Sequence, residues 1–252
     1  MLTAARRERR RHILLVALAV AQALRLKPRG TVAIAQSVQT YQAAAVSLSL
    51  QSLAAILAEQ AIDQAAETTV APGSLLTSIP AVTGMLEQAE TAAATTRLVQ
   101  TLVQDAARTA RAVDLTTRPA VTGWIRSVQV PCCSRCAVLA GRVYRWSDGF
   151  KRHPGCDCLM TPVADAGPDL ATDPAELFRQ GQIRGLSAGE TAAVHAGADL
   201  GQVVNVRRRQ AGLTVGSSVM VRSGRLTPQG CISLASDRSE ALDLLRRYRY
   251  IT

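Results

Sequence analysis

Large aromatic side chains are scarce in this chain: phenylalanine, tryptophan and tyrosine together make up 3% of its 252 residues. The hydrophobic content is nevertheless 48%, and alanine, leucine and valine dominate it. Such residues favour helices that pack at short distance, and a chain of this length can bury a substantial core in one or two domains. The composition therefore predicts a mainly α fold whose core has few large aromatic side chains.

Lysine is almost absent as well, since Lys27 and Lys151 are the only two in the sequence. Arginine therefore carries nearly all of the positive charge behind the formal net charge of +10. An excess of this size favours contact with nucleic acid or with an acidic surface. A solvated basic surface that keeps the protein in solution explains it equally well, so charge alone assigns no partner.

The familiar catalytic motifs are missing. The sequence has no glycine-rich phosphate loop, no His-Glu-x-x-His and no nucleophile elbow. A zinc deaminase needs His-x-Glu ahead of Pro-Cys-x-x-Cys, but Pro131-Cys132 is followed by Arg135 at the second cysteine position, and no glutamate follows His12 at the required spacing. His195 lies in a predicted short helix without an obvious partner. We therefore expect no enzyme activity and no small-molecule substrate.

Residues 1–30 allow three interpretations. A basic run that includes Arg6 and Arg11 precedes an apolar run over 13–21, an arrangement typical of a signal peptide. The apolar run is too short to span a bilayer, and Arg25 and Arg29 follow it. The pattern favours a buried or partner-packed helix, with a membrane-surface helix and a signal peptide as the alternatives.

Two long helices are predicted for the rest of the N-terminal half. Apolar residues recur at helical spacing over 31–68 and again over 81–113, and Pro72, Gly73 and Pro80 mark the loop between them. The result is a helical hairpin with an alanine-rich seam. A short helix is expected over 120–128, leading into the cysteines.

Short helices are predicted for the C-terminal part, because helix-start signals recur there. Ser187 is followed by a glutamate three residues later, Thr227 precedes a proline, and Asp237 repeats the first pattern. The predicted organisation has four parts: a helical region over 1–118, a cysteine- and histidine-rich module over 119–163, a linker over 164–174 and a short-helix region over 175–252.

Five of the six cysteines lie within 132–158, which is the strongest signal in the sequence. Zinc prefers four thiolate or imidazole ligands in a tetrahedron, and a two-residue gap lets two ligands reach one ion from a tight turn. Two residues separate Cys133 from Cys136, and two residues separate His153 from Cys156. The candidate ligands are Cys133, Cys136, His153, Cys156 and Cys158.

Tetrahedral zinc takes only four of these five. The preferred set is Cys133, Cys136, His153 and Cys156, and the close alternative replaces His153 by Cys158. The adjacent Cys132 is a sixth candidate, which leaves a one-residue shift of the first ligand open. A site filled by four protein ligands has no position for water, so it would be structural rather than catalytic. One or two disulfides, or buried free thiols, are the other interpretations of the same cysteines.

The residues around this cluster resemble a known family. The resemblance rests on three stretches, Trp124-Ile-Arg, Cys133-Ser-Arg-Cys-Ala-Val-Leu-Ala-Gly141 and Phe150-Lys-Arg-His-Pro-Gly-Cys-Asp-Cys158. They are similar to the signature of MuF-like minor head proteins of tailed bacteriophages, in the version found in actinobacterial phages and prophages. The stretches 182–187 and 197–205 and the Arg-Leu-Thr-Pro at 225–228 are similar to the following region of the same proteins. The resemblance covers roughly residues 119–252.

The resemblance implies a non-enzymatic phage minor capsid protein that takes part in head morphogenesis. It implies a protein made in the host cytoplasm and located in the interior of the procapsid and virion, associated with the portal. The implied partners are the portal and the major capsid or scaffold proteins, and the arginine-rich segments could touch packaged DNA without sequence preference. No membrane span is implied.

Two other functions compete with that one. The short helices on either side of Gly197, with Arg207, Arg208 and Arg209 after them, could form a helix-turn-helix of a zinc-containing DNA-binding regulator. A nuclease that uses His153 with the aspartates at 148 and 157 is the weaker alternative, because two surface aspartates explain those positions more simply.

Overall fold

The computed structural model describes residues 2–153, 155–164, 170, 172–210 and 226–252. Helices dominate the described residues, which confirms the mainly α prediction. The helices are α1 (Thr3–Leu26), α2 (Thr31–Ala58), α3 (Ile79–Glu87), α4 (Ala92–Thr116), α5 (Ser134–Ala137), α6 (Pro174–Arg179), α7 (Ala188–His195), α8 (Leu200–Gln210), α9 (Pro228–Leu234) and α10 (Arg238–Arg247). The strands are β1 (Gly123–Ser127), β2 (Cys132–Cys133), β3 (Val143–Arg145), β4 (Leu159–Val163) and β5 (Ile183–Arg184).

Helices α1, α2 and α4 form a bundle in which each helix packs against the other two. Alanines line the contacts: Ala19 and Ala23 of α1, Ala35 and Ala45 of α2 and Ala107 of α4 are all buried. Small side chains let helix axes approach to the short end of the usual 8–10 Å range. The predicted hairpin is therefore present, and α1 adds a third helix to it.

Helix α2 is long and apolar enough, by length and composition, to cross a membrane, and no other described helix is. A core helix of a bundle passes the same test. Leu53, Ile56 and Leu57 near its end are fully buried. The packing of α2 against α1 and α4 therefore accounts for part of its apolar character.

Both long helices are shorter than their periodicity predicts. The predicted helix over 31–68 ends at Ala58, because the backbone reverses at Ala61 (φ 54°) and the amide of Ile62 donates to the carbonyl of Leu57 at 3.0 Å. The predicted helix over 81–113 is two helices, since α3 ends at Glu87 and α4 starts only at 92. Helix-start chemistry outweighs periodicity here, because the Thr91 side chain accepts a hydrogen bond from the amide of Ala94 at 3.1 Å.

The short helix predicted over 120–128 is wrong. Residues 123–127 form β1, the middle strand of an antiparallel sheet with the order β3-β1-β4. The stretch is extended because Trp124 lies opposite Tyr144 on one side and Pro162 on the other, and the rings of Trp124 and Tyr144 stack at 4.2 Å. Pairing with two distant strands therefore overrides the local helical pattern.

The helix starts predicted for the C-terminal part are confirmed. Ser187 and Glu190 form a reciprocal capping box at α7, Thr227 caps α9, and Asp237 caps α10. Helices α9 and α10 pack against α4 and share its core with the sheet, through residues such as Ile232. Of the predicted linker over 164–174, residues 165–169 and 171 lie outside the described residues, as does Arg225.

Candidate metal centre

The structure brings all five predicted ligands to one place between β2, α5 and the loop that precedes β4. Cys133 ends β2, and its sulfur accepts a hydrogen bond from the amide of Cys136 at 3.4 Å, so the first pair of cysteines shares one tight turn. His153, Cys156 and Cys158 follow one another in the loop over 151–158. Two local segments therefore supply the whole cluster, as their spacing in the sequence predicts.

The five residues form two overlapping groups of three whose ligand atoms lie within 4.8 Å of one another. One group is Cys133, Cys136 and His153, and the other is Cys136, Cys156 and Cys158. Cys136 belongs to both groups and is buried. Neither four-ligand set predicted from the sequence lies whole within one of these groups, so the fourth ligand stays a prediction.

Three distances within these groups suit a tetrahedral ion. Zn–S and Zn–N bonds of about 2.3 and 2.05 Å at tetrahedral angles place two sulfurs about 3.8 Å apart and a sulfur and a nitrogen about 3.5 Å apart. The sulfurs of Cys136 and Cys156 are 3.6 Å apart, and the Nε2 atom of His153 lies 3.4 Å from the Cys136 sulfur and 3.1 Å from the Cys133 sulfur. The Cys/His cluster could therefore bind a metal ion.

Disulfides do not account for this arrangement. All six cysteines lie in the described part of the chain, and none of the six is in a disulfide. The sulfurs of Cys136 and Cys156 are 3.6 Å apart, well beyond the 2.05 Å or so of a disulfide. Cys132 belongs to neither group. Its burial, and to a smaller extent the neighbouring Cys133, raises the pKa of the Cys132 thiol to about 11. Cys231 packs in the main core on α9.

The polar surroundings favour thiolates at two positions. The hydrogen bond from Cys136, helped by His153 and opposed by burial, lowers the pKa of the Cys133 thiol to about 4. The pKa of Cys156 is also lowered, chiefly by hydrogen bonds from Cys136 and Cys158. Since the thiolate is the form that coordinates a metal, the cluster has the chemistry of a ligand set.

Three buried arginines surround the ligand loop, and sequence reasoning assigned none of them to the site. Arg108 of α4 donates from Nε to the carbonyl of Cys158 at 2.9 Å and from Nη2 to the carbonyl of Cys156. Its guanidinium also lies 4.9 Å from the centre of the Phe150 ring and pairs with Asp105 at 2.9 Å. One side chain of the helical bundle thus holds the backbone of two candidate ligands.

Arg126 of β1 approaches the same loop from the sheet. Its Nη2 donates to the carbonyl of Lys151 at 2.5 Å, its Nη1 lies 4.0 Å from the sulfur of Cys156, and its guanidinium lies 4.0 Å from the centre of the Phe150 ring. Burial lowers the pKa of Arg126, but the electrostatic effect of the neighbouring cysteines, led by Cys158 and Cys156, outweighs burial and raises the pKa. The guanidinium is therefore a fixed positive charge beside the sulfurs.

Arg9 of α1 is the third. Its Nη2 donates to the carbonyl of Ser127 at 2.7 Å, and its Nη1 lies 3.5 Å from the carbonyl of Asp157. Helix α4 adds two further attachments, because Arg152 pairs with Asp105 and the amide of Gly155 donates to the hydroxyl of Thr101. The ligand loop is thus anchored to α1, to α4 and to the sheet.

The residues of the two competing functions take different places. The ring of His195 packs against Phe178 at 4.9 Å, and Leu200 and Val204 of α8 are buried against Val138. The side chains of Arg207, Arg208 and Arg209 lie outside the described residues. Asp148 accepts a hydrogen bond from the amide of Arg145 at 2.8 Å within its own turn, which is a structural role.

A family model matches the chain in comparisons with known proteins. No curated protein and no solved structure matches the chain. The model of a family described as VG15 protein matches residues 3–181, a span that runs from α1 to α6 and contains the whole cluster. The resemblance noted in the sequence covered only the part after residue 118, whereas this match includes the helical bundle. The chain belongs to the VG15 protein family, and it is a phage protein.

Proposed function

We propose that this phage protein is a MuF-like minor head protein, active in capsid morphogenesis, whose Cys/His cluster holds a structural zinc ion. The observation that carries the proposal is the position of the cluster within the family match, together with the signature residues over 124–158. Such a protein is an assembly component rather than an enzyme. Its proposed partners are the portal and the capsid or scaffold proteins inside the procapsid.

Zinc is the metal that best suits the donors. Thiolate sulfur and imidazole nitrogen select zinc over magnesium or calcium, which prefer oxygen. Cys133, Cys136 and Cys156 would hold it, with either His153 or Cys158 as the fourth ligand. When bound, the ion supplies a cross-link between two backbone segments, and with four protein ligands it has no open position for a substrate.

The anchoring of the ligand loop gives the ion its proposed role. Because the loop over 151–158 is attached to α4 through Arg108 and to α1 through Arg9, a metal that orders the loop also orders its contacts with the bundle. Structural zinc contributes its binding free energy to folding. The ion would therefore fix the small sheet against the long helices and so preserve the surfaces that partners recognise.

The role in the head is tested by locating the chain. Virions and procapsids of the phage that encodes it would be purified and examined by mass spectrometry, with an abundant cytoplasmic host protein measured as the contamination control. We expect the chain in few copies per particle, enriched over that control. Its absence from both kinds of particle would contradict the proposal.

Contact with DNA is tested separately by gel shift in rising salt. A head protein exposed to packaged DNA should bind without sequence preference and lose binding steeply as salt increases, because its contacts are to phosphates. A preferred sequence whose binding survives salt would favour the DNA-binding regulator instead.

A further inference from the structure

Helix α1 carries a row of exposed side chains on the face that points away from the bundle. Its members are spaced alternately by four and three residues, which keeps them on one side of a helix. They are Arg7, Arg11, Leu14, Leu18 and Ala21, here called the outer stripe. Leu14 is 64% exposed and Leu18 is 58% exposed, so two large apolar side chains project into solvent.

The outer stripe changes character along the helix axis. Its first part is basic, because Arg6 and Arg10 lie beside Arg7 and Arg11 and all four are exposed. Within the described part of the chain, none of these four guanidinium groups is paired with a carboxylate. The second part is apolar, and Ile13, itself 43% exposed, widens it.

The basic part of the outer stripe has no compensating exposed carboxylate on α1. The N-terminal end of a helix already carries a partial positive charge, and acidic residues stabilise it there. Helix α1 has no acidic residue in its first turn, and its only acidic residue, Glu8, is buried against Arg111. An anionic group bound at Arg7 and Arg11 would therefore relieve an uncompensated positive charge.

Three kinds of occupant fit only half of this stripe. Nucleic acid accounts for the arginines but not for exposed Leu14 and Leu18. A helix that binds a membrane surface lies parallel to it, with apolar residues along one face and basic residues beside them over the same length. In the outer stripe the basic and apolar residues instead follow one another along the helix axis. A second copy of α1 would place arginines against arginines in parallel, or arginines against leucines in antiparallel orientation.

We propose that the outer stripe binds a helix of another protein that has an apolar face and a cluster of acidic residues at one end of that face. The leucines would pack into its apolar face, as in other helix pairs, and the arginines would pair with its carboxylates. The charge at one end fixes the register and direction of the bound helix. This inference does not depend on the metal site or on the role in the head.

A direct test uses a labelled synthetic helical peptide with a leucine face and a block of glutamates at one end. Its binding to the full chain is measured by fluorescence anisotropy for the wild type and for two double variants, Leu14→Gln with Leu18→Gln and Arg7→Gln with Arg11→Gln. Matched controls are Leu234→Gln and Arg97→Gln, which change an exposed leucine and an exposed arginine elsewhere. Circular dichroism checks that each variant keeps its helical content.

We expect at least a tenfold loss of affinity in each double variant and less than a twofold change in each control. A peptide with lysines in place of the glutamates should not bind. Binding that is unchanged by the leucine variants would overturn the proposal. So would stripe-dependent binding to phosphatidylserine vesicles or to duplex DNA without peptide binding, or stripe-dependent dimerisation of the chain itself.

Discussion

Replacing Arg108 by methionine tests the link between the helical bundle and the candidate metal centre. Methionine keeps much of the apolar stem but removes every donor. The wild-type side chain is 4% exposed and donates to the carbonyls of Cys156 and Cys158. Both carbonyls belong to residues of the proposed ligand set, so the substitution leaves two buried acceptors without this partner and frees the loop to move.

The size of the effect follows from those contacts. A hydrogen bond from a charged donor contributes about 1.5–3 kcal/mol, so two of them predict a loss of about 3–6 kcal/mol in the free energy of unfolding. The lost bonds also orient the ligands, and removing such outer partners of metal ligands weakens metal binding by about 10- to 100-fold. Arg108→Lys keeps the charge with a single point of donation, so we expect an intermediate loss.

Two assays measure these losses. Urea unfolding of the zinc-loaded protein gives the stability, and competition with a chromogenic chelator gives the zinc affinity. Arg97→Met, an exposed position on the same helix, is the matched control and should change stability by no more than about 0.5 kcal/mol. If Arg108→Met behaved like Arg97→Met in both assays, the proposed anchoring of the ligand loop by α4 would be wrong.

Four further substitutions test other parts of the account. Cys136→Ser should abolish zinc binding because Cys136 belongs to both ligand groups, whereas Cys132→Ser should retain one zinc per chain. Metal analysis of the two purified variants separates these outcomes, and equal zinc content in both would contradict the assignment of the ligands. Glu8→Gln should cost about 3 kcal/mol at pH 7 by urea unfolding, because its buried arginine partner loses its counter-charge. Burial raises the pKa of Glu8, but its arginine and histidine neighbours outweigh burial, so the pKa is lowered in the folded protein. The contribution of Glu8 to stability is therefore present above about pH 4.5 and is lost as the pH falls through the folded pKa. A destabilisation by Glu8→Gln that grew on acidification would refute this assignment. Gly123→Ala should destabilise by about 1–3 kcal/mol, because the added methyl would meet the carbonyl oxygen of Tyr144; an unchanged midpoint of thermal unfolding would refute that packing.

Features set by neighbouring residues could be predicted from the sequence. The caps at Ser187, Thr227 and Asp237 depend on side chains that reach backbone amides only three residues ahead. The grouping of Cys133 with Cys136 likewise needs one turn. Such contacts form whatever the rest of the fold does, and for that reason a short stretch of sequence is enough to predict them.

Features set by distant residues could not be predicted. Strand β1 exists because Trp124 pairs with residues about 20 and 40 positions away, and the local pattern favoured a helix. The role of Arg108 depends on a loop 50 residues further along the chain. An arginine inside the alanine-rich stretch over 106–112 is a weak signal of such a burial, but arginine is so frequent in this sequence that it does not stand out.

The central claim, a structural zinc ion in the Cys/His cluster, is tested most directly by measuring metal and thiols on the same sample. The chain would be purified without added metal or reductant, its metals quantified by mass spectrometry, and its thiols counted after denaturation with a chelator. The account predicts one zinc per chain and all six cysteines as free thiols. No metal together with fewer than six thiols would contradict it and would make the cluster a disulfide clip.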